Sequence, residues 1–218
     1  MAALLDLILP PACAGCGRSG ALLCPECLGS LTPASRSQDR FVAPDAAVVV
    51  GDALVLAMAA FAHAGPMRRA LAALKYSGAS RLAPILARAA APALAPLLAV
   101  RGSATLVPVP VHRERLRSRG YNQAELIARA LARTSRQPYE TLLERVRPTT
   151  RQHRLDRVAR LANLRGAFAV REGAMTVPAA VILVDDIITT TATLEACASV
   201  LREAGVEAVY GFAVAREV

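Results

Sequence analysis

Apolar and polar positions change period several times along the chain. From about residue 46, short runs of branched aliphatics alternate with segments whose apolar residues recur every three or four positions. That alternation is the signature of an α/β domain. Val48–Val50 and Leu54–Phe61 read as strands. Gly65-Pro66 opens a helix with Met67, Leu71 and Leu74 on one face, and Ser77-Gly78 closes it. Thr105–Val111 reads as a strand punctuated by Pro108 and Pro110, and Asn122–Arg133 as a helix with Leu126, Ile127 and Leu131 on its apolar side. The end is the most regular part: strand Ala180–Val184, a loop, helix Ala192–Ala204, Gly205 and strand Ala208–Ala215. This is a βαβ unit of ordinary length.

The segments before residue 46 follow another pattern. Residues 1–9 suggest a short amphipathic helix stopped by Pro10-Pro11, residues 12–31 hold four of the five cysteines, and Thr32–Asp45 is a polar linker. The expected division is a small module over 1–31, a linker over 32–45 and an α/β domain over 46–218. Within the last, the arginine-rich run 145–165 shows no strand pattern and reads as a loop with a helix. Ala83–Val100 is the longest apolar stretch, but Arg88 lies inside it and Pro84, Pro92 and Pro96 interrupt it, so no membrane span is expected. The opening residues lack the basic start of a secretory signal and carry Asp6. A cytoplasmic protein with reduced thiols is the expectation.

Composition sharpens this picture. With 54% apolar residues in 218, the chain can bury a sizeable core, built mainly from alanine and branched aliphatics because aromatics are only 4%. The 26 basic and 17 acidic side chains leave a net charge of +9, which favours an anionic partner. Lys75 is the only lysine among those bases.

The cysteines fall as Cys13-x2-Cys16 and Cys24-x2-Cys27. Two such turns present four thiolates to one tetrahedral Zn²⁺, and four protein ligands make a closed, structural site. A pair of disulfides or a redox pair are the alternatives. Cys197 shares a helix face with Leu194 and Leu201 and belongs to the core.

The apolar run Ala180–Val184 is what a strand buried on both faces requires, and it ends in Asp185-Asp186. Ligands of open α/β sheets sit at such carboxyl ends. Adjacent carboxylates there can take vicinal hydroxyls or help hold a hydrated Mg²⁺. Thr189, Thr190, Thr191, Ala192 and Thr193 follow, leading into a helix whose N-terminus favours phosphate. Together these describe a ribose phosphate site, against the blander alternative of a turn that merely caps a helix. A nucleoside-triphosphatase is excluded, since no Gly-Lys-Ser/Thr loop exists around Lys75.

Val181–Thr193 (VILVDDIITTTAT) resembles the phosphoribosyl-diphosphate motif of type I phosphoribosyltransferases. More narrowly, the chain resembles the ComF family of competence proteins and its relative GntX. The narrower match rests on the two CxxC pairs, Arg69–Gly78, Val107–Ala124 (VPVPVHRERLRSRGYNQA), and Leu142–Phe168 with Gln152, Arg160, Asn163, Gly166, Ala167 and Phe168. The resemblance implies a double-zinc-ribbon-like module joined to a parallel-sheet phosphoribosyltransferase core, with a flexible loop over the site. It also implies an association with DNA uptake during transformation, or growth on DNA. Thr191 stands where that family usually has glycine. Either the loop is then ordinary in conformation, or phosphate binding is weakened.

The resemblance further implies that the loop after Thr105–Val111 holds a diphosphate. It carries Arg113, Arg115, Arg117 and Arg119, whose guanidinium forks suit phosphate. Lys75 is a further candidate for an anionic group. Arg151, Arg154, Arg157 and Arg160 recur every three residues and would line one side of a helix, as a solvated face, a hood over phosphates or a track for single-stranded DNA. Two functions stay open: a phosphoribosyltransferase using phosphoribosyl diphosphate with Mg²⁺, its acid and base unassigned among residues such as His112 and His153, or a non-enzymatic adaptor binding DNA or a competence helicase.

Overall fold

The computed structural model describes residues 10–34, 47–48, 51–147, 164, 166–173 and 177–217. The expected helix over 1–9, most of the linker, His153 and the arginines at 151, 154, 157 and 160 lie outside them. In chain order the elements are α1 (Pro25–Gly29), β1 (Ala47–Val48), β2 (Leu56–Ala62), α2 (Gly65–Tyr76), α3 (Leu82–Arg101), β3 (Thr105–Pro108), α4 (Arg113–Arg119), α5 (Gln123–Ser135), β4 (Leu143–Arg145), β5 (Phe168–Val170), β6 (Ala180–Ile188), α6 (Ala192–Glu203) and β7 (Ala208–Arg216).

Five strands form one sheet in the order β1-β2-β7-β6-β3. All neighbours are parallel except β1, which runs antiparallel to β2. Val184 sits in register with Phe212 on one side and Pro108 on the other. Pro108 has no N–H to give a second neighbour, which suits the outer position of β3. Side chains alternate faces along each strand. Ile182, Val184, Tyr210, Phe212 and Leu106 join Leu71, Leu74, Leu86 and Ile127 under α2, α3 and α5. Val181, Leu183, Val107, Val209 and Ala213 join Leu194, Cys197 and Phe168 under α6 and the β4–β5 ribbon. Both faces are covered, as parallel sheets require. Gly211 lets the layers close up, because a Cβ there would lie 2.9 Å from Leu194 Cδ1 and 3.0 Å from the Ala57 Cβ.

Three sequence expectations are corrected. Residues 82–101 form one continuous helix, not an interrupted stretch. Pro92 and Pro96 fall four residues apart, with Pro92 exposed and Pro96 half-buried. The carbonyls they leave unpaired thus reach water on the outer side, while Leu82, Leu86, Leu94 and Leu97 face the core. By length and composition Leu82–Ala99 is the one helix among the described residues able to cross a membrane, and 39% of it is buried within the fold. The basic segment after β3 is a short helix rather than a loop, its first turn capped by His112 Nδ1 accepting from Glu114 N at 3.4 Å. Strand β6 continues four residues past Val184, so the acidic pair lies within it. Of the run 145–165, only 145–147 and 164 lie among the described residues, and Arg145 ends β4, which pairs with β5.

Candidate functional site

The four N-terminal cysteines converge. Their sulfurs all lie within 4.8 Å of one another, and none is in a disulfide. Cys16 and Cys24 Sγ are 3.7 Å apart, the edge of a tetrahedron whose centre lies about 2.3 Å from each sulfur. The N–H groups of Gly15 and Cys24 each donate to Cys13 Sγ at 3.3 Å. Burial alone raises the Cys13 thiol, but the N–H groups of Cys24, Cys16 and Gly15 outweigh it and bring it down to about 6. Cys27 is pushed up to about 12 by burial and the neighbouring thiols. Four sulfurs this close, with two N–H groups aimed at one of them, fit Zn²⁺. Gly15 permits the tight turn, because a Cβ there would lie 2.6 Å from Cys27 Sγ. The module packs on the main core through Leu23 and Leu31, and Arg69 Nε on α2 donates to Gly15 O at 2.5 Å.

At the other end of α2 lies the acidic pair. Because side chains alternate along β6, Asp186 meets α2 while Asp185 turns toward the Arg145 and Cys197 side. Lys75 Nζ stands 2.6 Å from Asp186 Oδ2, with only 17% and 5% of the two side chains exposed. It is an ion contact off the hydrogen-bond axis, for that oxygen accepts no hydrogen bond. Asp185 Oδ1 accepts from Asp186 N at 2.8 Å. Burial, and then the Asp186 carboxylate, push the Asp185 carboxyl well above its usual range, while Lys75 pulls it back. Beneath it the fully buried Cys197 thiol is raised, first by burial and then by Asp185.

Thr189 is exposed, Thr190 and Thr193 are half-buried, and Thr191 and Ala192 are buried. Thr191 has φ −71° and ψ −3° and caps α6 through its backbone. The loop is therefore ordinary in conformation, and no strain follows from the missing glycine.

Lys75 also lines a cavity of about 560 Å³ with Tyr76, Gly78, Arg115, Ser118 and Arg119. Arg115 and Arg119 are one turn apart and share a face of α4. Arg113 and Arg117 occupy its other side, where both are exposed and Arg113 lies 3.7 Å from Glu144. Of the four arginines singled out in the sequence, two thus reach the cavity. Arg119 also sits 5.7 Å from the Tyr76 ring centroid and donates to Gln123 Oε1.

No family model matches the chain. Competence protein F of Haemophilus influenzae is 37% identical to it over 113 residues, 51% of this chain and 49% of that protein. The chain is similar to a competence protein. The match spans about half the length of that relative, and it supports the ComF resemblance read from the motifs.

Several residues near this edge of the sheet make contacts that the sequence did not announce. Glu195 is buried in the first turn of α6 and accepts from Gly51 N at 3.0 Å and Ala53 N at 2.6 Å. Nothing in the sequence links positions so far apart. His63 follows β2 directly, and burial lowers its pKa, with Lys75 and Arg68 adding to the fall and Glu217 and Asp186 opposing it. Its position after a predicted strand was the available clue. Arg145 lies over Phe168, 5.4 Å from the ring centroid, and its pKa is lowered by burial and by Arg115. Asn122 caps α5, its Oδ1 accepting from Ala124 N while Nδ2 donates to Val109 O, both at 3.0 Å. Tyr121 donates its hydroxyl to Leu74 O, tying α5 to the turn that bears Lys75.

Proposed function

We propose that this chain binds a phosphorylated ribose, with phosphoribosyl diphosphate the first ligand to test, at the carboxyl ends of β3 and β6, and that it serves DNA uptake or use. One observation carries the reading: Lys75 touches Asp186 at 2.6 Å and also lines the cavity of Arg115 and Arg119. Carboxylates for ribose hydroxyls and cations for a diphosphate therefore adjoin. The 5-phosphate would take Thr189–Thr193 and the N-terminus of α6. Lys75, Arg115 and Arg119 would offset charge growing on a departing diphosphate. Asp185 and Asp186 are the residues that would hold Mg²⁺, which would neutralise the diphosphate. The association with DNA uptake rests on the similarity to Competence protein F and on the motif resemblance.

A second reading, an adaptor that retains or senses the ligand while engaging DNA or a helicase, is favoured by the Lys75 contact. It occupies one of the carboxylates a transferase would need for its substrate. Titration calorimetry with phosphoribosyl diphosphate tests the shared part. Heat is expected from the wild type and not from an Asp185→Asn/Asp186→Asn variant, and equal heats from both would remove the site. Diphosphate release on adding candidate acceptors would then favour the transferase over the adaptor.

A further inference from the structure

We propose that Lys75 is a resident counter-ion for the acidic pair, so that a free divalent cation is refused there and enters only with an anion that draws the ammonium into the basic cavity. The inference deepens the ribose phosphate reading and rests on it for the identity of the anion, though not for the exchange of cations.

The Asp186 carboxylate is 5% exposed at its side chain and accepts no hydrogen bond at Oδ2. A buried charge left in that condition is costly unless an opposite charge stands against it. The ammonium 2.6 Å away supplies that charge. Asp185 is adjacent and joined to it through the Asp186 N–H. The Asp186 carboxylate at contact, with Asp185 on the other face of β6 feeling the same ammonium at longer range, would otherwise offer the oxygen donors a hard divalent cation takes. With Lys75 in place an entering cation meets a like charge at contact range.

The same side chain borders the cavity of Arg115 and Arg119. Lysine suits a double role, since its charge is compact and its stem is long and flexible, whereas a guanidinium fork is held by its geometry. In a chain whose other bases are all arginine, the single lysine occupies this boundary. His63 and Arg68 also lie in its neighbourhood. An anion settling between Arg115 and Arg119 attracts the ammonium, and the carboxylate pair is then open to the cation the anion brings.

The test measures uptake of Mn²⁺ alone by the zinc-loaded full chain, following free Mn²⁺ by electron paramagnetic resonance. Wild type and Lys75→Arg are expected to bind it weakly. Lys75→Met and Lys75→Gln, two neutral variants checked by circular dichroism, are expected to bind it at least about tenfold more tightly. Adding Asp185→Asn and Asp186→Asn to either should abolish that gain. In parallel, calorimetry with inorganic diphosphate should show that Mg²⁺ strengthens binding to the wild type more than to the neutral variants. Equal Mn²⁺ affinity in wild type and both neutral variants overturns the proposal, as does a gain that survives loss of the carboxylates. Absence of heat with phosphoribosyl diphosphate in the wild type is a separate result. It overturns the ribose phosphate reading and leaves a Mn²⁺ gain standing.

Discussion

Removing the Glu195 carboxylate should loosen the join between the C-terminal helix and the segment before β2. Its two oxygens accept from Gly51 N at 3.0 Å and Ala53 N at 2.6 Å. Only glycine permits the approach, because a Cβ at position 51 would lie 2.6 Å from Oε1. A hydrogen bond to a charged acceptor contributes about 1.5–3 kcal/mol, and an orphaned buried donor costs a similar amount. The favourable placement of a carboxylate in the first turn of a helix adds about 0.3–1 kcal/mol. Gly51 and Ala53 are only half-buried, so water would recover part of the loss. Glu195→Ala is therefore expected to cost about 2–4 kcal/mol, and Glu195→Gln, which keeps one acceptor oxygen, about half as much. Urea unfolding of the zinc-loaded protein would measure both. An alanine variant within about 0.5 kcal/mol of wild type, the range of an inert surface change, would show that these bonds hold nothing together.

Two further predictions concern the acidic pair and the metal. Folding raises the Asp185 pKa above its ordinary value of 3.8, so the folded state binds more protons than the unfolded and stability falls as pH rises through the folded pKa. Asp185→Asn should thus be more stable than wild type at pH 7, with the advantage fading as pH falls toward 3.8. Thermal melts across this range giving equal midpoints at pH 7 would refute the assignment. Stripping zinc with a chelator should lower the melting midpoint by at least about 5 °C, because Leu23 and Leu31 of the cysteine module share the main core. An unchanged midpoint in protein shown by metal analysis to be stripped would count against a structural metal.

The helical period made α2 legible, since Met67, Leu71 and Leu74 recur on one face and all three are fully buried. The terminal βαβ unit was legible because a nine-residue strand, a helix and a second nine-residue strand are spaced without insertion. Helix α3 was hidden by its prolines, whose cost depends on which side of the helix they face, and a linear pattern does not carry that. The acidic pair reads as a strand end because polar residues usually mark one, yet β6 keeps pairing with β7 through Ile188. At the site, residue types announced the cysteines, the carboxylates and the basic segment. The pairing of Lys75 with Asp186, the choice of Arg115 and Arg119 over Arg113 and Arg117, and the Glu195 anchor depend on tertiary placement.

Strand β7 comes after every other described strand, yet it lies in the middle of the sheet between β2 and β6. While the ribosome is still making residues 208–216, β1–β2 and β3–β6 can exist only as two unjoined ribbons with open edges. Assembly must then wait for contacts that close loops of great length, such as Leu56 with Tyr210. Nascent chains arrested shortly before that strand would expose apolar edges ready to pair with one another, so the sheet is at its most vulnerable in the interval before β7 is made.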